Sequence, residues 1–461
     1  MRIALVFSCL LWACAPKSHE AGVRHITYWE KWTGFEGASM DRLVARFNQR
    51  ERERAGREAN YRPIEVEKVA VSSLEQKLLI ATAGGNPPDV AGNYSFFVPA
   101  YADKGALTDL GPLLAAAHIE RENYIPHYFE LGVYRGKVWA LPVVPASVAL
   151  HWNKQLFEDA GLDSNVAPRT IEELDAFAEK LTLWQVRLDS GDTVVERGYL
   201  PNVPDDRKRL IQVGFLPNEP RWWSYAWGYY FGGKLFADAA HVSPNDAGNL
   251  RAYDWVRSYS ERLGVERIKR FRSGFGSSSS PQSSFLSGKV AMELQGVWLH
   301  NFIEQSAPGF RYGAAPFPYP ADRPELANTS EAEADVLVIP KDSKHAHEAM
   351  EFIAFVSSPD NLEDLCLGQD KFTPLRTVSE RFWREHPNPN IALFRELGSS
   401  PNAFAIPKTG IWNEYNRELT NAVDLIQNLS EPPMRALGDV AERMQAAVDR
   451  DRKTLLRRGE P

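Results

Sequence analysis

The sequence is poor in cysteine, with three among its 461 residues. Cys9 and Cys14 lie in an apolar N-terminal run, and Cys366 stands alone far downstream. A disulfide framework and a cysteine-based metal site both need several suitably spaced cysteines, so this chain can build neither. We therefore expect the packing of apolar side chains, which make up 44% of the chain, to stabilise the fold.

Long apolar runs and an excess of positive charge are also missing. After the N-terminal run, no segment approaches the ~20 apolar residues that a membrane-spanning helix needs. The formal net charge is −7, which gives no reason to expect a nucleic-acid partner. The length favours two or three domains, each with a core of its own.

Motifs for catalysis are absent as well. The sequence contains no P-loop, no nucleophile elbow, no zinc-protease helix motif and no paired-cysteine motif. His345 and His347 form the closest histidine pair, and we interpret them as solvated side chains rather than metal ligands. We expect no cofactor, no metal and no enzymatic activity, although the carboxylate pairs of glycoside hydrolases are set by distance in space and cannot be found by counting.

The N-terminus has the form of an export signal. Arg2 precedes an apolar run that is too short to span a bilayer, which is typical of a cleavable secretory signal. The sequence LWAC at 11–14 resembles a bacterial lipobox, and the resemblance implies that residues 1–13 are removed and Cys14 is lipidated. Residues 14–22 then form a flexible tether. The alternative is a plain signal peptide cut nearby. Either way, we expect an exported protein, periplasmic or on the cell surface, and with the lipid it is held to the membrane.

Strand-like and helix-like segments alternate along the rest of the chain, which predicts an α/β fold. Period-two alternation or short apolar runs predict strands at 25–29, 64–69, 88–92, 148–152 and 336–340.

Helix starts are predicted from capping residues. Ser39 is predicted to cap the first helix, and Ser72 with Glu75 and Thr170 with Glu173 match the capping box. Two segments fit no regular element. Residues 184–218 are rich in charge, proline and glycine and are interpreted as an irregular excursion, and residues 273–284 as a Gly/Ser-rich surface loop.

Tryptophan is the strongest chemical signal, with 13 in the chain. Those beside turn residues or element ends suit stacking on the C–H faces of sugars: Trp29, Trp32, Trp222, Trp223, Trp227, Trp298 and Trp412. Core positions are favoured for four others: Trp139, Trp184, Trp255 and Trp383.

Four stretches, in this order, resemble one family. They are AGGNPPDV at 83–90, LHWNKQLF at 150–157 followed by AGL at 160–162, TIEEL at 170–174, and FLSGKVAM at 285–292 followed by Gly296 and Trp298. The chain resembles the extracellular solute-binding protein family 1, the sugar-binding receptors of ABC importers. Trp152 stands where this family usually has tyrosine.

The resemblance implies a periplasmic-binding-protein-like fold, with two α/β lobes joined by a hinge that the chain crosses several times. The crossings are predicted near 145–147, 313–316 and 372–374. The first lobe would then contain residues 23–145 and 316–371, and the second lobe residues 148–312 and 375–461. Ligand would lie in the cleft between the lobes, beyond the carboxyl ends of the strands.

The resemblance also implies which side chains face the ligand. The first lobe is expected to contribute Glu30, Trp32, Thr33, Asn93 and Tyr94. The second lobe is expected to contribute Trp222, Trp223, Gln295, Trp298 and Trp412. Gln295 is interpreted as a hydroxyl partner, Trp298 and Trp412 as stacking platforms, and one of Trp222 and Trp223 as a core residue.

The predicted function is that of a substrate-binding lipoprotein of an ABC importer. It would capture a sugar, an oligosaccharide or another small polar solute and deliver it, as a monomer, to the permease subunits. Two alternatives remain at this stage: a lipid-anchored glycoside hydrolase, and a glycan-binding module that serves another uptake system.

Overall fold

The computed structural model describes residues 22–457. The predicted signal and Cys14 lie outside the described residues. The strands are β1 (Arg24–Glu30), β2 (Ile64–Ala70), β3 (Val90–Tyr94), β4 (Val133–Tyr134), β5 (Lys137–Val138), β6 (Leu141–Asn153), β7 (Leu183–Arg187), β8 (Thr193–Arg197), β9 (Lys208–Phe215), β10 (Phe236–Asp238), β11 (His241–Val242), β12 (Val290–Gly296), β13 (Tyr312–Ala315), β14 (Ser330–Val338) and β15 (Ala403–Phe404).

The α-helices surround these strands. They are α1 (Gly34–Ala55), α2 (Leu74–Ala83), α3 (Val98–Asp103), α4 (Gly111–Ala116), α5 (Pro126–Leu131), α6 (Lys154–Asp159), α7 (Ile171–Leu181), α8 (Trp227–Tyr230), α9 (Ala247–Leu263), α10 (Val265–Arg272), α11 (Leu299–Ser306), α12 (Ala346–Val356), α13 (Pro359–Leu367), α14 (Glu380–Glu385), α15 (Ile391–Gly398), α16 (Trp412–Gln427) and α17 (Pro433–Arg457).

Most strands form one 11-stranded sheet, which confirms the predicted α/β class. Its order is β2-β1-β3-β14-β6-β12-β9-β7-β8, with β13 paired to β6 and β15 paired to β14. β1 runs parallel to β2 and β3, and β14 runs antiparallel to both β3 and β6. The five strands predicted from the sequence all correspond to strands of this sheet.

The long strand β6 is shared by the two halves of the sheet. Residues 141–147 pair with β14, and residues 148–152 pair with β12. Two large hydrophobic cores lie on either side of this change of partner. The first contains Tyr28, Phe47 and Phe352, and the second contains Trp184 and Trp227. These cores define two lobes.

Two of the three predicted crossings lie too early in the chain. Phe317 packs in the second core. Nearby, Tyr319 forms an isolated β-bridge with Thr170, and Asp322 forms an ion pair with Arg251, and both partners belong to the second lobe. Residues 316–323 therefore stay with the second lobe. The segment after 375 stays with the first lobe, since its apolar side chains belong to the first core: Phe382, Ile391, Phe394 and Leu397.

Two predicted helix caps are wrong. α1 begins at Gly34 after Thr33, so Ser39 lies inside the helix, where its Oγ donates to the Gly368 carbonyl at 2.7 Å. The box of Ser72 with Glu75 does not form, because α2 begins one residue later, after Ser73 in a left-handed conformation (φ +50°).

The cap of α7 is confirmed. Thr170 Oγ1 accepts a hydrogen bond from the Glu173 amide at 3.2 Å. Glu173 reaches back to the amide of Arg169 at 2.6 Å rather than to that of Thr170. The helix start is therefore held from both sides, with the return bond shifted by one residue.

The segment 184–218 is more regular than predicted. It supplies most of β7, all of β8 and β9, and thus a three-stranded extension at one end of the sheet. Its strands pair antiparallel, and Trp184 is fully buried between them and α10. Charged side chains lie on the exposed positions, which is why composition alone indicated a loop.

The predicted core tryptophans divide into two groups. Trp184 and Trp255 are buried and Trp139 is half-buried, whereas Trp383 is 42% exposed and its core assignment is wrong. Trp227, grouped with the stacking candidates, is 1% exposed and packs in the second core.

This burial predicts unequal costs of truncation. We expect Trp184→Ala to lower the free energy of unfolding by about 3–5 kcal/mol, because a large buried side chain leaves a cavity. Trp383→Ala is the matched control, and we expect a loss of about 1 kcal/mol or less. Urea unfolding followed by far-UV circular dichroism measures both. Equal losses of unfolding free energy in the two variants would contradict the difference in burial between Trp184 and Trp383.

Candidate functional site

The turn after β1 is organised by a buried carboxylate. Glu30 is fully buried, and its Oε1 accepts hydrogen bonds from the amides of Lys31 at 2.7 Å and Trp32 at 3.2 Å. The Tyr28 hydroxyl donates to its other oxygen. A Cβ at Gly92 would collide with this carboxylate, so glycine is required there. Glu30 thus fixes the turn from inside, whereas it was predicted to face the ligand.

Lys31 follows Glu30 in that turn, and its side chain is only 13% exposed. Its Nζ lies 2.9 Å from Asp335 Oδ1 and sits over the rings of Trp32 and Tyr94, 4.8 and 4.5 Å from their centroids. Burial disfavours its charged form, but the carboxylates of Asp335 and Glu30 outweigh burial and hold the pKa of Lys31 above its usual value. The ammonium is therefore a permanent charge.

A second buried lysine extends this charged cluster. Lys371 Nζ lies 2.8 Å from Glu36 Oε1 and 3.8 Å from Asp335 Oδ2. Asp335 therefore lies between two cations, Lys31 and Lys371. Sequence analysis did not identify Lys31, Lys371 or Asp335 as site residues. The antiparallel register that places Asp335 opposite Tyr94 joins segments 241 residues apart, which no local pattern reveals.

The other first-lobe candidates lie beside this cluster. Trp32 is 5% exposed, Thr33 is exposed, and the Tyr94 ring is 41% exposed and parallel to Phe96 at 5.3 Å. Asn93 is buried. Its Oδ1 accepts from the Tyr94 amide at 2.9 Å, and its Nδ2 has no hydrogen-bond partner within residues 22–457.

Three tryptophans form the second-lobe part of the site. Trp298 lies with its ring centroid 6.1 Å from that of Trp222 and 6.4 Å from that of Trp223. Trp223 is the core member of the adjacent pair, since its indole N–H donates to the Leu294 carbonyl at 2.8 Å. Trp222 is 43% exposed. The expectation that one of the pair is a core residue is confirmed.

Gln295 holds Trp298 rather than a ligand. Its Nε2 donates to Glu293 Oε1 at 2.8 Å, and its Oε1 accepts from Trp298 Nε1 at 3.1 Å. The side chain is buried and both its ends are occupied within the protein, which does not favour the predicted role as a hydroxyl partner. It fixes the orientation of the Trp298 ring.

Trp412 also differs from its predicted role. The side chain is 3% exposed and meets the Tyr225 ring edge-on at 5.2 Å. Tyr225 in turn donates to Glu331 Oε1 at 2.7 Å. Because α16 buries its apolar face against the second core, its first residue is drawn into that core. Trp412 is thus a core side chain in this structure and not an open platform.

The two lobes meet beside these aromatic groups. Trp298 packs against both cores, and Phe96 of the first lobe packs against the second core. Asn301 of α11 donates from Nδ2 to the Gln369 carbonyl of the first lobe at 3.0 Å. The interface of the lobes therefore lies between Phe96, which stacks on Tyr94 in the first lobe, and Trp298, which contacts Trp222 in the second.

This arrangement matches a known class of protein. Residues 42–388 match the family model described as "Bacterial extracellular solute-binding protein". The chain belongs to that family. It is a solute-binding protein of the ABC-importer type, and an exported one. The family consists of binding proteins.

Curated relatives of this solute-binding protein are distant. A putative binding protein of Brucella abortus (strain 2308) is 23% identical over 330 residues, which are 71% of this chain and 72% of the relative. The maltodextrin-binding protein MdxE of Bacillus subtilis is 26% identical over 254 residues, which are 55% of this chain and 52% of the relative.

Solved structures share the two-lobed fold. CpMnBP1 with mannotriose bound is 25% identical, with a TM-score of 0.73, over 91% of this chain and 99% of that one. The sugar-binding protein MalE of Xanthomonas citri is 19% identical, with a TM-score of 0.70, over 94% and 99%. Within residues 22–457, no helix has the length and apolar character to cross a membrane.

A pH effect follows from the carboxyl group that supports Gln295. Burial raises the pKa of Glu293 from 4.5 to about 8. As the pH rises from 4.5 towards 8, the unfolded chain loses this proton while the folded one keeps it, so stability falls. We expect Glu293→Gln to flatten this fall and to add ~2–4 kcal/mol of unfolding free energy at pH 8.

The exposed Glu266 provides the matched control for this substitution. Urea unfolding of the wild type, Glu293→Gln and Glu266→Gln at pH 5 and pH 8 gives the comparison. Parallel pH profiles for all three proteins would show that Glu293 carries no raised pKa.

Proposed function

We propose that this solute-binding protein captures a sugar or oligosaccharide between its two lobes and delivers it, as a monomer, to the permease of an ABC importer. The observation that carries the proposal is an exposed ring on each lobe: Tyr94 lies under the ammonium of Lys31, which pairs with Asp335, and Trp222 lies against Trp298. The names of the relatives, which bind maltodextrin or carry mannotriose, support the same ligand class.

The composition of this site suits a neutral, hydroxyl-rich ligand. A ring stacked on a sugar removes ~50 Å² of apolar ligand surface from water, or roughly 1 kcal/mol per ring. Micromolar binding needs about −8 kcal/mol, so the rings supply only part of it. Hydrogen bonds of hydroxyl groups with the charged Lys31 and Asp335 are stronger than neutral ones and supply the rest. The buried Nδ2 of Asn93, which has no hydrogen-bond partner among residues 22–457, is a neutral donor beside them.

Binding is coupled to a movement of the lobes. A ligand that touches both lobes binds the closed arrangement better than the open one, so it shifts the population towards closure. The crossings that absorb such a rotation lie in β6 near Ser147, before β14 near residues 326–330, and between α15 and β15 near residues 398–403. We propose these as the hinge, with residues 23–146 and 331–398 in the first lobe.

The rings give a direct test of the ligand site. We expect Trp222→Ala to weaken oligosaccharide binding by about 1–3 kcal/mol through loss of apolar contact. The fold should be unaffected, because the side chain is already 43% exposed. Calorimetric titration with a panel that includes maltotriose and mannotriose measures the effect.

Trp383→Ala is the control for this titration, since Trp383 is 42% exposed and its ring contacts are with Phe382 and Arg395 rather than with the rings or charges of the proposed site. Its affinity should match that of the wild type. Unchanged affinity in Trp222→Ala, with ligand still bound, would remove Trp222 from the site.

We also propose that Cys14 anchors the protein to the membrane through lipid. A single acyl chain gives only marginal membrane binding, so stable anchoring needs the several chains of a bacterial lipoprotein. We expect the wild type to fractionate with membranes and Cys14→Ala to lose the lipid adduct in mass spectrometry. Equal fractionation of both proteins, with no adduct on either, would contradict lipidation.

A further inference from the structure

Two segments that the solute site does not use come together elsewhere on the second lobe. The strands of the 184–218 segment and the Gly/Ser-rich loop at 273–284 line a pocket with α10. Its volume is about 680 Å³, within the range of small-molecule sites. The pocket shares no residue with the solute site described above.

The pocket is strongly cationic in a protein of net negative charge. Two of the lining residues are acidic, Asp205 and Asp206. Seven are basic: Arg187, Arg207, Lys208, Arg209, Arg267, Arg270 and Lys289. The chain as a whole carries a formal charge of −7, so this concentration of positive charge is local.

The two carboxylates do not neutralise the pocket. Asp205 binds Arg267 at 2.5 Å and Lys208 at 3.7 Å, and Arg207 is held by Asp189 outside the pocket. Four of the basic side chains have no carboxylate partner among residues 22–457: Arg187, Arg209, Arg270 and Lys289.

One of the pocket lysines is also desolvated. The Lys208 side chain is 5% exposed, and its Nζ lies 5.4 Å from the Trp184 ring. Burial, followed by the neighbouring Arg267, lowers its pKa. A bound anion would offset both effects. The pocket therefore contains more basic side chains than the nearby carboxylates can pair.

We propose that this pocket binds phosphate groups, on either a soluble organic phosphate or a lipid headgroup. Guanidinium groups match phosphate oxygens in pairs, and several arginines together suit a ligand with more than one negative charge. A single carboxylate would leave most of these cations unmatched. Phe271 and Phe275 add an apolar wall for the organic part of the ligand.

The first test uses sodium tripolyphosphate as the probe in calorimetric titrations at low salt. We expect the wild type to bind it, and the triple variant Arg187→Gln, Arg209→Gln, Arg270→Gln to bind it at least tenfold more weakly. All three side chains are exposed, so their replacement leaves the core untouched. Should the triple variant fail to fold, Arg270→Gln alone, on α10, is expected to weaken binding at least threefold.

The control removes the same charge elsewhere. Arg57, Arg384 and Arg435 are between 68% and 75% exposed and do not line the pocket. Their replacement by glutamine should change tripolyphosphate affinity less than twofold. An equal loss in this control would overturn the proposal, as would a wild type that binds neither tripolyphosphate nor anionic vesicles.

Vesicles distinguish the two sources of phosphate. In a Cys14→Ala background, where no acyl chain contributes, the protein is sedimented with phosphatidylglycerol or phosphatidylcholine vesicles. Sedimentation with phosphatidylglycerol that the pocket variant loses and the control keeps identifies a headgroup site. Binding of tripolyphosphate without vesicle binding identifies a soluble phosphate, and absence of both contradicts the site.

Discussion

The backbone pairing of β6 is the constraint on which the rest of the structure depends. Every N–H and C=O group of a buried strand needs a partner. β6 finds them in β14 along its first half and in β12 along its second half. At the change of partner, the Ser330 hydroxyl accepts from the Val148 amide at 3.1 Å and donates to the Val148 carbonyl at 2.8 Å. One side chain thus replaces the missing strand bond, and the two lobes remain one continuous sheet.

The charged cluster follows from the same pairing. Because β14 lies between β6 and β3, its register sets Asp335 opposite Tyr94 and within 2.9 Å of Lys31. Removing charged groups from water costs several kcal/mol per ion, and mutual attraction offsets this only where the geometry is good. Two lysines around one carboxylate meet that condition. The cluster therefore depends on strand register, and a shift of one residue would turn Asp335 to the other face.

Local signals in the sequence predict local structure well and long-range placement poorly. The Thr170 cap and the strand at 64–69 depend on neighbouring residues alone, and both are present. Glu30 and Gln295 are held by partners close in sequence, but their burial, like that of Trp412, depends on how the strands and helices pack. Sequence analysis predicted all three to face the ligand because it does not supply that packing. Lys31 was not predicted as a site residue, although it follows Glu30, because its partner Asp335 is distant in the sequence. Family resemblance supplied the two-lobed fold, which periodicity alone could not.

Trp222 and Trp223 are adjacent in the sequence, but Trp222 is exposed and Trp223 is buried in the core. The Trp223 side chain is buried, and its indole N–H donates to the Leu294 carbonyl. Its ring stacks against that of Trp298. Trp222 is left exposed on that rigid base. A ring held in place loses little freedom on binding, which favours affinity. Rings, however, discriminate poorly between similar sugars, whereas buried polar groups reject a ligand that leaves them unpaired. Under the proposed function, the choice of solute therefore rests on Asn93, Lys31 and Asp335 more than on the tryptophans.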